Sequence, residues 1–233
     1  MKSYADRKAL ARRASLANIA SLGGMGVLLA GVAIPLWMPA YYSATPYMLV
    51  GGFIISNIGI YFANRWVKKP RPEALIDEEL KSRNNQFAVY HYLLPEDHVL
   101  LTPGGVVVLE ICTLDGNFSY RDGKWKQKFS MSRAMRFLVE EGLGDPIAQA
   151  QAGARRIRAL IAEKVDGEVP VDSLVMFTSP HADYEVESPP IPVIQPDKLS
   201  KRLPQRPKLP DTVTAQVKAA LDEAARVDKG DKE

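Results

Sequence analysis

The sequence predicts an α/β protein in two parts: a two-helix transmembrane hairpin, then a mixed-sheet domain flanked by helices. Three observations carry this reading. Ala14 to Asn64 is a run of 51 residues without Asp, Glu, Lys or Arg. Short strand-like segments punctuated by turn residues fill Phe87 to Lys128. Helical patterns lie on either side of these, and an apolar strand returns at Val171–Phe177. The chain has 233 residues and a net charge of +3, unevenly laid out. Met1 to Arg13 holds five basic residues and one acid, and Arg65, Lys68, Lys69 and Arg71 follow the apolar run. The remainder, Pro72 to Glu233, nets −5. That layout excludes a uniformly basic nucleic-acid coat and argues against a fully soluble protein.

A span needs about 20 apolar residues to cross ~30 Å of hydrocarbon, so the apolar run suits two spans better than one. They are expected at Leu16–Met38 and Tyr47–Asn64. Pro35, Pro39 and Pro46 mark the junction, and Trp37, Tyr41, Tyr42 and Tyr47 beside them match an interfacial aromatic belt. Basic residues flank both outer ends and none lies in the connecting loop, which predicts both termini in the cytoplasm and an inner-membrane location. A cleaved signal peptide fits less well, because a second apolar run follows at once and Tyr41–Thr45 lacks a small-x-small cleavage pattern. Gly23, Gly24 and Gly26, with Gly51, Gly52 and Gly59, are the residues that would permit close helix contact. A single cysteine, Cys112, forms no internal disulfide and suits a reducing compartment.

Four segments are expected: a basic cytoplasmic tail (1–13), the hairpin (14–67), an α/β domain (72–180), and a proline-rich segment with a C-terminal amphipathic helix (181–233). Lys68–Pro72 reads as a short linker. Glu73–Asn84 reads as a helix, then strands run at Phe87–Leu94, Asp97–Thr102 and Val106–Leu114 around a Pro103–Gly104–Gly105 turn. Asp115–Gly116 and Asp122–Gly123 bracket a short strand, with Lys124–Lys128 pairing back. Helices resume after Ser130. Asp145–Pro146 signals a helix start, with Ile147, Ala150, Ala154, Ile157, Ile161 and Val165 on one face. Thr212–Val227 reads as the last helix.

Pairing Thr102 with Val107 across the turn puts Asp97 opposite Cys112 and Val99 opposite Glu110. Asp97 and Glu110 then share a face as diagonal neighbours, about 7–8 Å apart at Cα. Glu110 interrupts the apolar run Val106–Ile111, where a carboxylate is costly unless paired or metal-bound. Two converging carboxylates are what a divalent cation needs in order to polarise a phosphodiester and activate water. The competing explanations are a satisfied structural carboxylate pair or a solvent-exposed end of the sheet.

The stretch DEELKSRNNQFAVYHYLLPEDHVLLTPGGVVVLEICTLDGNF, followed by Trp125 and DPIAQAQAGARRIRALI, resembles the NERD (nuclease-related domain) family of the PD-(D/E)XK nuclease superfamily over about Glu73–Pro180. The resemblance implies a restriction-endonuclease-like fold. It matches Asp97–His98, Gly104–Gly105, Glu110–Ile111 and the helix residue Gln149, with Glu78 or Glu79 as the first-helix acid. It implies Asp97, Glu110 and Gln149 as catalytic residues, with Asp97 and Glu110 as ligands of Mg²⁺ where the site is active. It departs from the family at the lysine of Glu-x-Lys, which is Cys112 here. A neutral thiol cannot stabilise developing negative charge as that lysine does, so either a nearby base substitutes, with Lys124, Lys126 and Lys128 as the candidates, or the fold is retained without catalysis.

The expected function is therefore a membrane-anchored cytoplasmic NERD-like domain, read as a degenerate metal-dependent nuclease. The alternative is a non-catalytic accessory or scaffold subunit of a membrane complex. Expected partners are the lipid bilayer, other membrane-protein subunits, and nucleic acid if the domain binds phosphates. For that last partner the basic residues Lys124, Lys126, Lys128, Arg133, Arg136, Arg155, Arg156 and Arg158 are candidates, with a solvated face or lipid headgroups as the plainer explanation. A Cys112–His98 nucleophile pair is disfavoured because the two face opposite ways, and His91 and His181 read as ordinary residues.

Overall fold

The computed structural model describes residues 1–67, 71–127 and 143–226. Lys68, Lys69, Lys128, Arg133, Arg136 and the helix expected after Ser130 lie outside the described residues. The chain divides into two compact units, one built from the long apolar helices and one from the mixed sheet.

In the first unit, α1 (Arg7–Trp37) and α2 (Thr45–Trp66) are joined by a 3₁₀ turn at Pro39–Ala44. Both stretches are long and apolar enough to cross a membrane. Their outward side chains, among them Leu22, Leu29, Leu36, Tyr47 and Val50, are exposed, as a lipid-facing surface requires. Only some of the glycines make the contact. A Cβ on Gly24 would overlap the Ser56 backbone, and one on Gly59 the Ser21 backbone, whereas Gly23, Gly26 and Gly51 face open space.

The second unit begins at the N-terminus. Lys2–Ala5, expected as part of a tail, form strand β1, paired in parallel with β2 (Ala88–His91). The six-stranded sheet has the order β1-β2-β3-β4-β7-β9, where β3 is His98–Thr102, β4 Gly105–Cys112, β7 Val171–Phe177 and β9 Val193–Ile194. β2, β3 and β4 are antiparallel neighbours, and β4, β7 and β9 are parallel. A second sheet, β6-β5-β8, is made from β5 (Gly116–Arg121), β6 (Lys124–Gln127) and β8 (Ala182–Val186). The α/β class is as expected.

Both faces of the large sheet are covered, which accounts for the nearly continuous apolar runs in β4 and β7. On one face α4 (Pro146–Ala162) packs Ala154, Ile157 and Ile161 against Val99, Val106 and Val108. Beside it, α6 (Asp211–Ala224) packs Val217, Ala220 and Leu221. On the other face α3 (Pro72–Leu80) and the short α5 (Leu199–Arg202) bury Ile76, Leu80 and Leu199 against Val89, Leu100, Val107 and Leu109. The start of α4 follows the signal in the sequence: the Asp145 carboxylate accepts from the Ala148 amide at 3.0 Å, and Pro146 sits at the first helical position.

Residues 181–210 are less separate than the sequence suggests. Beyond contributing β8 and β9, they strap the β3–β4 turn: Arg206 holds Asp172 at 2.8 and 3.0 Å, and the Leu209 amide donates to the Pro103 carbonyl at 2.8 Å. The turn itself corrects the expected register. Thr102 pairs with Gly105 and Val99 with Val108, so Pro103 and Gly104 alone form the turn. Gly105 is already in the strand at φ +142, against the Pro170 carbonyl, a position that excludes a side chain.

Candidate functional site

The register shift is two residues, an even number, so every face assignment survives it. Val106, Val108 and Cys112 of β4 pack on the α4 side, with Cys112 against Ile147 and Ala150. Alternation therefore turns Glu110 toward α4 as well. Asp97 just precedes β3 and alternates with Val99 onto the same side. Extended by two residues, the register puts Asp97 across from Glu110, where the expectation had been Cys112. Glu110 is half-buried and Asp97 exposed.

The buried carboxylate is the neighbour that the sequence reading passed over. Glu96, in the β2–β3 turn, is only 8% exposed. Arg156 grips it through two hydrogen bonds, Nε to Oε1 at 2.5 Å and Nη2 to Oε2 at 3.2 Å. Gly153 makes room for the pair, since a Cβ there would stand 2.5 Å from Glu96 Oε2. A mid-helix glycine costs about 0.5–1 kcal/mol relative to Ala. One that shares a helix face with an arginine was the signal in the sequence that space was needed. Gln149, Gly153 and Arg156 lie within one narrow stripe of α4 by helical geometry, so Gln149 is on the face that meets Glu96, and its side chain is exposed.

The electrostatics agree with the geometry. The Arg156 guanidinium is held above its ordinary pKa, chiefly by its hydrogen bonds to Glu96 and by the Glu96 charge, with a smaller push from Glu110. Burial drives the Cys112 thiol well above the usual range, and the Glu110 charge adds to it. At the position of the motif lysine there is thus a neutral, 7%-exposed thiol. Native protein is expected to resist iodoacetamide at pH 8 while denatured protein labels with one equivalent. Rapid native labelling, read by mass spectrometry, would show that Cys112 is accessible and ionised.

Neither candidate substitute among the described lysines can serve. Lys124 and Lys126 are exposed on β6 and alternate with Trp125, which faces inward onto the Phe177 cluster that includes Cys112. Glu78 and Glu79 are on α3, across the sheet from Glu110, and Glu78 pairs with Lys81. Arg155 and Arg158 are exposed, and Arg158 donates to the Val171 carbonyl at 2.8 Å. Among the described residues, no group of three or more His, Cys, Asp or Glu is placed to hold a metal ion.

On the α3 side the structure assembles a cluster that the sequence reading missed. His91 and His98, each 1% exposed, meet Nδ1 to Nδ1 at 2.8 Å, so one ring donates and the other accepts. His91 Nε2 lies 3.2 Å from Asp77 Oδ1, and Ser3 Oγ donates to Asp77 Oδ2 at 3.0 Å. The chain of polar groups ties β1, α3, β2 and β3 together. Because His98 points to this face, it is separated from Cys112, as expected. His181 is exposed and its amide donates to Ser179 Oγ.

Residues 70–178 match the family model described as nuclease-related domain, NERD. No curated protein and no solved structure matches the chain.

Proposed function

We propose, from the premise that residues 70–178 form a nuclease-related domain, that this domain is anchored to the inner membrane by a helical hairpin, faces the cytoplasm, and has lost phosphodiester hydrolysis. The observation that carries the loss is Cys112. A buried neutral thiol stands where the chemistry needs a cation, and neither Lys124 nor Lys126 is turned toward it. The charge pattern beside it supports the same reading. The buried Glu96 is already engaged by Arg156, and Asp97 is exposed at the mouth of the turn, a donor set that does not fit a divalent ion. The role left to such a body is that of an accessory or scaffold subunit in a membrane complex.

The anchor reading rests on the hairpin and on β1. Strand β1 precedes the first span and pairs with β2, which follows the second. One sheet cannot be assembled across a bilayer, which supports a hairpin with both ends on the same side. The basic residues at those ends support the cytoplasm as that side.

The test is hydrolysis by the full chain in nanodiscs, with Mg²⁺ or Mn²⁺ and end-labelled single-stranded DNA, duplex DNA and RNA. Cleavage is expected to be no greater than that of Glu110→Ala. Metal-dependent cleavage that disappears in Glu110→Ala would overturn the reading.

A further inference from the structure

A carboxylate buried to 8% exposure must have its charge met by a cation or pay heavily for desolvation. Three features of the α4 face bear on how that need is met. Glu96 is turned inward although its neighbour Asp97 is exposed. Glu110 lies on the same face of the sheet, one residue pair along β4 from Val108, whose side chain borders Gly153. The helix opposite carries a glycine at the height of Glu96 and, three residues on, an arginine whose planar fork takes both Glu96 oxygens. The Arg156 side chain is itself 57% exposed, so it reaches the carboxylate from the solvent side, the direction from which an ion would enter.

We infer that the Arg156 guanidinium is the resident cation of this site, seated on Glu96 beside Glu110 in place of a divalent metal. A guanidinium supplies the neutralising charge and two directed hydrogen bonds. It offers no open coordination position and cannot lower the pKa of a bound water as a metal does. The inference deepens the reading of a non-hydrolytic domain and rests on it. It adds that the loss of metal is built into the helix, through Gly153 and Arg156, in addition to the loss of the motif lysine at Cys112. It also sets a direction: neutralising Arg156 should create a metal site at Glu96.

The experiment titrates Mn²⁺ alone into the full chain in nanodiscs, followed by calorimetry and by the electron paramagnetic resonance signal of free Mn²⁺. The natural protein and Arg156→Lys, which keeps the charge, are expected to show no saturable site. Arg156→Ala is expected to gain one site, binding at least tenfold tighter than any background, and Glu96→Gln added to it should abolish the gain. Arg156→Gln, which keeps a hydrogen-bond donor to Glu96, is the second variant should Arg156→Ala fail to fold. Two results would overturn the inference: a site in the natural protein that needs Glu110, or a folded neutral variant at 156 that binds no Mn²⁺. Nucleic-acid cleavage measured on the same samples separates the two proposals. Mn²⁺ binding by the natural protein without cleavage removes the resident cation and leaves the non-hydrolytic reading intact.

Discussion

A fragment cut at Pro72, the obvious boundary after α2, is expected to be far less stable than the same fragment carrying Met1–Asp6 on a flexible linker. Strand β1 supplies the outer edge of the sheet through four parallel residue pairs with β2. Tyr4 stacks on Tyr90 with ring centroids 5.2 Å apart, and Lys218 of α6 lies 5.1 Å above the Tyr4 ring. Tyr90 donates to Asp222, which also accepts from Lys218, and burial followed by Asp222 raises the Tyr90 phenol far above its ordinary pKa. Removing β1 therefore uncovers Tyr90, strips Lys218 of its aromatic partner, and takes Ser3 from Asp77. Hydrogen bonds at about 1 kcal/mol each and an aromatic pair at about 0.5–1.5 kcal/mol sum, with the lost burial, to roughly 3–5 kcal/mol. Set against a usual stability of about 5–15 kcal/mol, that is enough to leave the fragment partly unfolded. Urea denaturation followed by circular dichroism gives the answer. Equal midpoints for the bare and tethered fragments would show that β1 is an accessory to the sheet rather than part of it.

The same strand shows why the sequence yields some elements and hides others. The hairpin is legible because a charge-free run of 51 residues has few other physical explanations. The start of α4 is legible because its cap and its proline are local. Lys2–Ala5 has no such signature. Four residues are too few for a period, and their place beside the basic flank of a span makes them read as a tail. What fixes them as a strand is Ala88–His91, more than eighty residues away, and pairing at that distance leaves no local trace. The proline-rich stretch is similar, since its strap over Pro103 depends on where Asp172 and Gly104 come to lie.

At the site, parity was legible and position was not. Counting Gly105 as a turn residue displaced the expected pairing by two, yet Asp97 and Glu110 still come out on one face because two is the period of a strand. The burial of Glu96 could not be read in this way, because the β2–β3 ladder ends at Asp97 and a turn residue beyond it does not follow the alternation. Only the tertiary packing of Gly153 decides which carboxylate is buried. The pair His91–His98 was within reach: with β2 and β3 antiparallel and six residues between them, the two histidines are the closing pair of the hairpin. Metal spacing was the wrong pattern to look for, because the partner that each ring finds is the other ring.

The glycines of the hairpin give the second large effect, and here too the sequence offered six candidates without separating them. The structure does. Gly24→Leu and Gly59→Leu are expected to disrupt the helix pair, because the new Cβ would occupy the place of the Ser56 or Ser21 backbone, and backbone cannot turn aside as a side chain can. The helices would have to move apart along α1 and α2, losing the close approach at Gly52, where a Cβ would already be 2.9 Å from the Leu28 amide nitrogen. Gly23→Leu and Gly51→Leu enter open space, so the same chemical change at neighbouring positions should be nearly silent. Overpacking costs typically about 1–3 kcal/mol where side chains can yield, and these two sites belong at or above the top of that range. Thermal unfolding in detergent, followed by the fluorescence of the tryptophans, compares the four variants directly. Gly24→Leu and Gly59→Leu should melt well below the natural protein and the other two beside it. Equal losses from all four would mean that the effect comes from glycine as such within a long apolar helix. Losses confined to the first pair would identify backbone contact between α1 and α2 as the interaction that closes the hairpin.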